Sequence, residues 1–209
     1  MFQWTRPDPE VLRELLESQD SILSEPGGKG RRPNIQSGFS YSEVGASRGS
    51  PPKGYLVDHN RVLLGRGCKA FEAASSAMKD WKMFDLGWVT VFPQHPPIEV
   101  GQAVAVVISH LGFWSINLAR IIYVLQEYGD IEKYGFAYGT LRGHSEQGEE
   151  RFTVEYHSQT DEVWYDLFAF SKPRHILATL AYPISRRLQK RFARDSLNAM
   201  KKAVAETRP

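Results

Sequence analysis

A single cysteine, Cys68, in 209 residues leaves no partner for an internal disulfide, and it sits in no nucleophile motif, so a small buried side chain is expected there. Six scattered histidines show no paired ligand spacing, and no metal is expected. GRG and the glycine-rich GGKGRRP lack the spacing of a Walker or dinucleotide fingerprint, so no nucleotide cofactor is expected either. Charge of one sign is not in excess: 26 basic and 24 acidic residues leave +2, too balanced to imply nucleic-acid or membrane binding in bulk. The longest apolar stretches are strand-sized and broken by His110, Asn117 and Arg120, well short of the roughly 20 residues of a spanning helix. The start MFQWTRPDPE lacks the basic and apolar regions of a signal peptide, and a cytoplasmic protein is expected.

What is present is alternation. Residues 1–209 are expected to form one domain, with residues 1–54 as an N-terminal helix and a Gly/Pro/Ser-rich wrapping segment. In EVLRELLESQ, Val11, Leu12, Leu15 and Leu16 repeat at helical spacing; FSYSEVG, further on, alternates loosely enough for an edge strand. YLVDHNRVLLG reads as a strand and CKAFEAASSAMKDWKMF as a helix with Phe71, Ala74, Met78 and Trp81 on one face. Six strand-like runs follow, LGWVTVFP, VGQAVAVVISHL, WSINLARIIYVLQ, YGFAYGTL, ERFTVEYH and VWYDLFAFS, joined by short turns that imply an antiparallel meander. The chain closes on a long amphipathic helix with Leu177, Leu180, Ile184, Leu188, Phe192 and Met200 in its stripe, which Pro183 is expected to kink or divide.

This order gives an α+β fold of the helix-grip (START-like) kind: a curved antiparallel sheet of about seven strands with a long C-terminal helix across its concave face, plus a short N-terminal helix. A curved sheet and a straight helix cannot touch everywhere, so an apolar cavity opens between them. In VWYDLFAF neither face looks made for water, since Trp164, Asp166, Phe168 and Phe170 share one side and Val163, Tyr165, Leu167 and Ala169 the other. Both faces of that strand must be covered. In ERFTVEYH, Phe152, Val154 and Tyr156 point inward and Arg151, Thr153, Glu155 and His157 outward.

The runs GFSYSEVGASRG, VDHNRVLLGRG, WKMFDLGW, HLGFWSINLARIIYV, YGFAYGTLRGHSEQGEERF, WYDLFAFSKPRH and RRLQKRFARDSLNAM together resemble the bacterial and plant family catalogued as domain of unknown function nineteen-ninety, from about Gly38 to Val204. The resemblance implies a place in the START and polyketide-cyclase-like (SRPBCC) superfamily of small-molecule binders. It carries over no catalytic residue.

The candidate site residues come from polar groups on apolar strands. His59 and Arg61 share one face of their strand, with Asp58, Asn60 and Val62 on the other. At a cavity mouth the pair would hold an anionic or carbonyl-bearing ligand; otherwise it is the solvated side of an edge strand. His110, Asn117 and Arg120 are structural hydrogen-bonders singly and the polar spot of a pocket together. A carboxylate as enclosed as Asp166 needs a partner, so pairing with Arg120 or another arginine is favoured over general-base chemistry. Arg174 and His175 read as helix-start surface. Arg186, Arg187, Lys190, Arg191, Arg194, Lys201 and Lys202 make either a solvated helix face or a patch for anionic lipid or nucleic acid.

The reading that results is a cavity lined by Trp88, Trp114, Phe136, Tyr138 and Phe168, with polar His59, Arg61, His110, Asn117, Arg120 and Asp166, that holds a hydrophobic small molecule without a cofactor. Two alternatives stand beside it. One is an enzyme of the cyclase, dehydratase or hydrolase kind that uses His59, His110 or Asp166 for acid–base work. The other is an interaction module built on the basic helix.

Overall fold

The computed structural model describes residues 2–24, 38–144, 146–173 and 182–207. Its elements in chain order are β1 (Phe2–Gln3), α1 (Pro9–Ser24), β2 (Leu56–Arg66), α2 (Cys68–Lys79), β3 (Val89–Phe92), β4 (Ala103–His110), β5 (Phe113–Glu127), β6 (Ile131–Thr140), β7 (Glu146–His157), β8 (Glu162–Pro173) and α3 (Tyr182–Glu206). Seven strands form an antiparallel sheet in the order β2-β8-β7-β6-β5-β4-β3. The two-residue β1 pairs with the first residues of β5, beyond the point where β6 ends. Register shifts at Leu63/Gly65 in β2 and Ile121/Tyr123 in β5 are bulges of the kind that bend a strand and add twist.

Both faces of the sheet are covered. On the inner face, α2, the 3-10 turn Lys82–Phe84 and α3 pack on Phe136, Phe152, Val154, Tyr165 and Leu167, with Met200 and Val204 of α3 fully buried among them. On the outer face, Leu12 and Leu16 of α1 lie against Ala105, Val107, Ile116 and Leu118. Asp8 starts α1: its carboxylate accepts the Glu10 N–H at 2.8 Å and its carbonyl the Leu12 N–H at 3.1 Å, with Pro9 in the first turn, where a missing N–H costs nothing.

Some boundaries differ from the sequence expectation. The helix expected over Cys68–Phe84 ends at Lys79, because Trp81 takes a left-handed backbone (φ 56°) and donates its indole N–H to the Pro96 carbonyl at 2.8 Å. Cys68 is exposed at the start of α2, not buried. FSYSEVG forms no edge strand; an isolated bridge, Phe39 to Leu141, is its pairing to the sheet. Pro183 stands in the first turn of α3, where it interrupts nothing. Arg174, His175, Leu177 and Leu180 lie outside the described residues, as do residues 25–37 of the Gly/Pro/Ser-rich stretch.

Candidate functional site

Side-chain size along the inner face decides where the sheet and α3 part. Toward α2 the face carries large rings: Phe136 stacks on Phe152 at 5.2 Å and meets Trp81 at 4.9 Å, while Phe84 meets Phe152 at 5.4 Å and Phe192 of α3 at 5.2 Å. Further along the strands the inward positions become small: Ala119, Thr140, Gly148, Ala169 and Ser171. At Gly148 an added Cβ would lie 1.9 Å from the Phe170 carbonyl oxygen, so no larger residue fits. Between these small residues and α3 lies a cavity of about 840 Å³, within the range of small-molecule sites.

Its walls are mostly apolar, with Val62, Phe84, Trp88, Val106, Ile108, Leu188, Phe192 and Leu197 among them. Leu111, at the β4–β5 hairpin tip, and Ile184, in the first turn of α3, both line it while 75% and 47% exposed, so its lining reaches the surface at each of them.

One end is polar, and the sheet register explains why. Asp58, Ala169, Glu150 and Tyr138 form one row across β2, β8, β7 and β6. Asp58 is held by both Nη atoms of Arg186 from α3, at 2.5 and 2.8 Å. Gln189 donates to Glu146 at 2.5 Å and to Ser171 at 3.2 Å. Tyr138 donates its hydroxyl to Glu150 at 2.6 Å. Burial drives the Glu150 carboxyl up to about 7; the Tyr138 hydrogen bond opposes that rise, and nearby Glu146 and Asp58 add to it. Burial also raises Glu146 and lowers His110, which favours a neutral imidazole on the opposite wall.

Four of the anticipated contacts border this cavity: Trp88, His110, Asn117 and Tyr138. The others require correction. On β2 it is Asp58, Asn60 and Val62 that face the cavity, so His59 and Arg61 point to the outer face. There Asp166, 3% exposed, receives His59 Nε2 at 2.5 Å, Arg151 Nη2 at 3.1 Å and Arg61 Nε at 3.2 Å, and the His59 ring meets Phe168 edge-on at 5.6 Å. Arg120 pairs not with Asp166 but with Asp20 of α1, at 2.7 Å. Trp114 is on the outer face with the Arg6 guanidinium 5.8 Å from its ring, and Phe136 is spent in the packed end. Two of the three acid–base candidates, His59 and Asp166, are therefore outside the cavity. Among the described residues no cluster of His, Cys, Asp and Glu could hold a metal, and no helix is long and apolar enough to cross a membrane.

Asp58, Glu146, Glu150 and Gln189 escaped the sequence reading. Glu150 was within reach of it: two positions before Phe152, it continues the inward series Phe152, Val154, Tyr156.

A curved antiparallel sheet gripping one long helix over a cavity defines a helix-grip, START-like protein. Solved structures agree on the fold: a hypothetical protein from Helicobacter pylori aligns at TM-score 0.51 with 12% identity over 76% of this chain and 91% of that one, and a protein of Thermus thermophilus at 0.51 with 10% identity over 74% and 100%. The family described as Domain of unknown function (DUF1990) matches residues 40–199, and the chain belongs to it. A UPF0548 protein of Dictyostelium discoideum is 42% identical over 157 residues, 71% of this chain and 72% of its own, and one of Arabidopsis thaliana is 30% identical over 206 residues, 97% of each.

Proposed function

We propose that this protein binds an apolar small molecule in the space between the inner face of the sheet and α3. The observation that carries the reading is the cavity itself: about 840 Å³ with apolar walls, a polar end and a lining that reaches the surface at Leu111 and Ile184. Burying a drug-sized apolar ligand there gains roughly 25 cal/mol for each Å² removed from water, enough for useful affinity after the cost of association. Trp88, Tyr138 and Phe192 supply flat apolar contacts; His110 and Asn117 supply hydrogen-bonding groups that fix orientation.

The test is native mass spectrometry of the freshly purified protein, with denaturing extraction to identify what it carries, run beside an Ala169→Phe variant whose ring occupies the cavity floor. A compound retained by the wild type and absent from the variant supports binding in the cavity. Equal retention by both places any ligand elsewhere and sinks the proposal.

A further inference from the structure

The four carboxylates nearest the cavity are unequally satisfied. Asp58 has both Nη atoms of Arg186, Glu146 has Gln189, and Glu149, which faces outward, accepts the Tyr41 hydroxyl at 2.8 Å and the N–H groups of Gly45 and Ser47 at 2.5 and 2.8 Å. Glu150 accepts one hydrogen bond, from Tyr138; its other oxygen has no partner among the described residues, and the side chain borders the cavity. A carboxylate offers about four acceptor sites. Half-buried on the cavity wall with one donor, the ionised side chain keeps acceptor capacity for a cation that enters there.

We propose that the polar end of the cavity is a subsite for a positively charged nitrogen, so that the ligand is an apolar molecule bearing a basic amine. This rests on the cavity being a ligand site. The charges that act most on Glu150, those of Glu146 and Asp58, are both negative, which favours an ammonium and disfavours a fatty-acid carboxylate. Tyr138 on β6 and Tyr165 on β8 are held neutral by burial, the latter hydrogen-bonded to Ser196 of α3 at 2.9 Å. Arg186 of α3 is taken up by Asp58. Lys190, Arg194 and Lys201 border the cavity from α3, and His144 borders it from the β6–β7 turn.

The experiment is isothermal titration with n-decylamine, n-decanol and n-decanoate, which share one apolar body, at pH 6 and pH 8. For a carboxyl that titrates near 7 the ionised fraction rises about tenfold over that interval, while the amine stays protonated. Decylamine affinity is expected to rise by up to about tenfold from pH 6 to pH 8, and at pH 8 the order is amine, alcohol, carboxylate. Glu150→Gln removes both the preference and its pH dependence and leaves decanol binding in place. Tyr138→Phe removes the hydrogen bond that opposes the rise of the Glu150 carboxyl, so the amine preference is expected to appear at a higher pH than in the wild type. Decanol binding with no amine preference, or a preference that survives Glu150→Gln, overturns the subsite and spares the cavity. Failure of all three probes overturns both proposals.

Discussion

Glu149 and Glu150 are neighbours in sequence on opposite faces of one strand, and their surroundings differ. On the outer face Glu149 is 3% exposed and saturated: Tyr41 and two backbone N–H groups converge on it. The segment that supplies them can approach because residue 139 is glycine; a Cβ there would sit 2.0 Å from the Tyr41 hydroxyl. Asp166, on the same face, collects Arg151, Arg61 and His59. On the inner face Glu150 has one donor and open space. Charge on the outer face is buried and paired; on the inner face Asp58 is paired with Arg186, while Glu150 keeps one oxygen open to the cavity.

This contrast predicts effects of opposite sign. Glu149→Ala strips a buried hydroxyl and two N–H groups of their acceptor and is expected to cost on the order of 3–5 kcal/mol in urea unfolding; a cost below about 1 would place Glu149 outside the structural set. Asp166→Ala leaves Arg151 and Arg61 facing each other and should cost on the order of 3 kcal/mol by the same assay. Glu150→Gln should stabilise. With the folded carboxyl raised to about 7, the native state holds a proton that the unfolded state has released between about pH 4.5 and 7. Stability at this group therefore falls as pH rises through that window. Thermal melts are expected to show a gain of about 1–3 kcal/mol for the glutamine variant at pH 8 and little at pH 5. His59→Ala should cost least, about 0.5–1 kcal/mol, because its side chain is 50% exposed and Asp166 keeps two arginines.

The element order was legible in the sequence because period-2 runs between turn residues leave few alternatives. Which face of each strand looks toward the cavity was not. With both faces covered by apolar contacts, alternation sorts His59 from Asp58 without saying which lies under α3. Here the partner helix decides: Arg186, some 128 residues away in the chain, selects Asp58 for the inner side. Asp166 was recognisable as a paired charge, yet its partners Arg151 and His59 come from flanking strands whose register no local pattern gives. The cavity was foreseen as a consequence of curvature. Its position depends on the run of small residues at 119, 140, 148, 169 and 171, which come together across four strands and are unremarkable in any one of them.

The space over those small residues is the proposed ligand site. Isothermal titration of n-decanol into the wild type and into Ala169→Phe of matched thermal stability tests it most directly. Saturable one-to-one binding with a negative heat-capacity change is expected for the wild type, with a loss of about tenfold or more in the variant. Equal affinity in the two proteins, or no saturable heat in either, would contradict it.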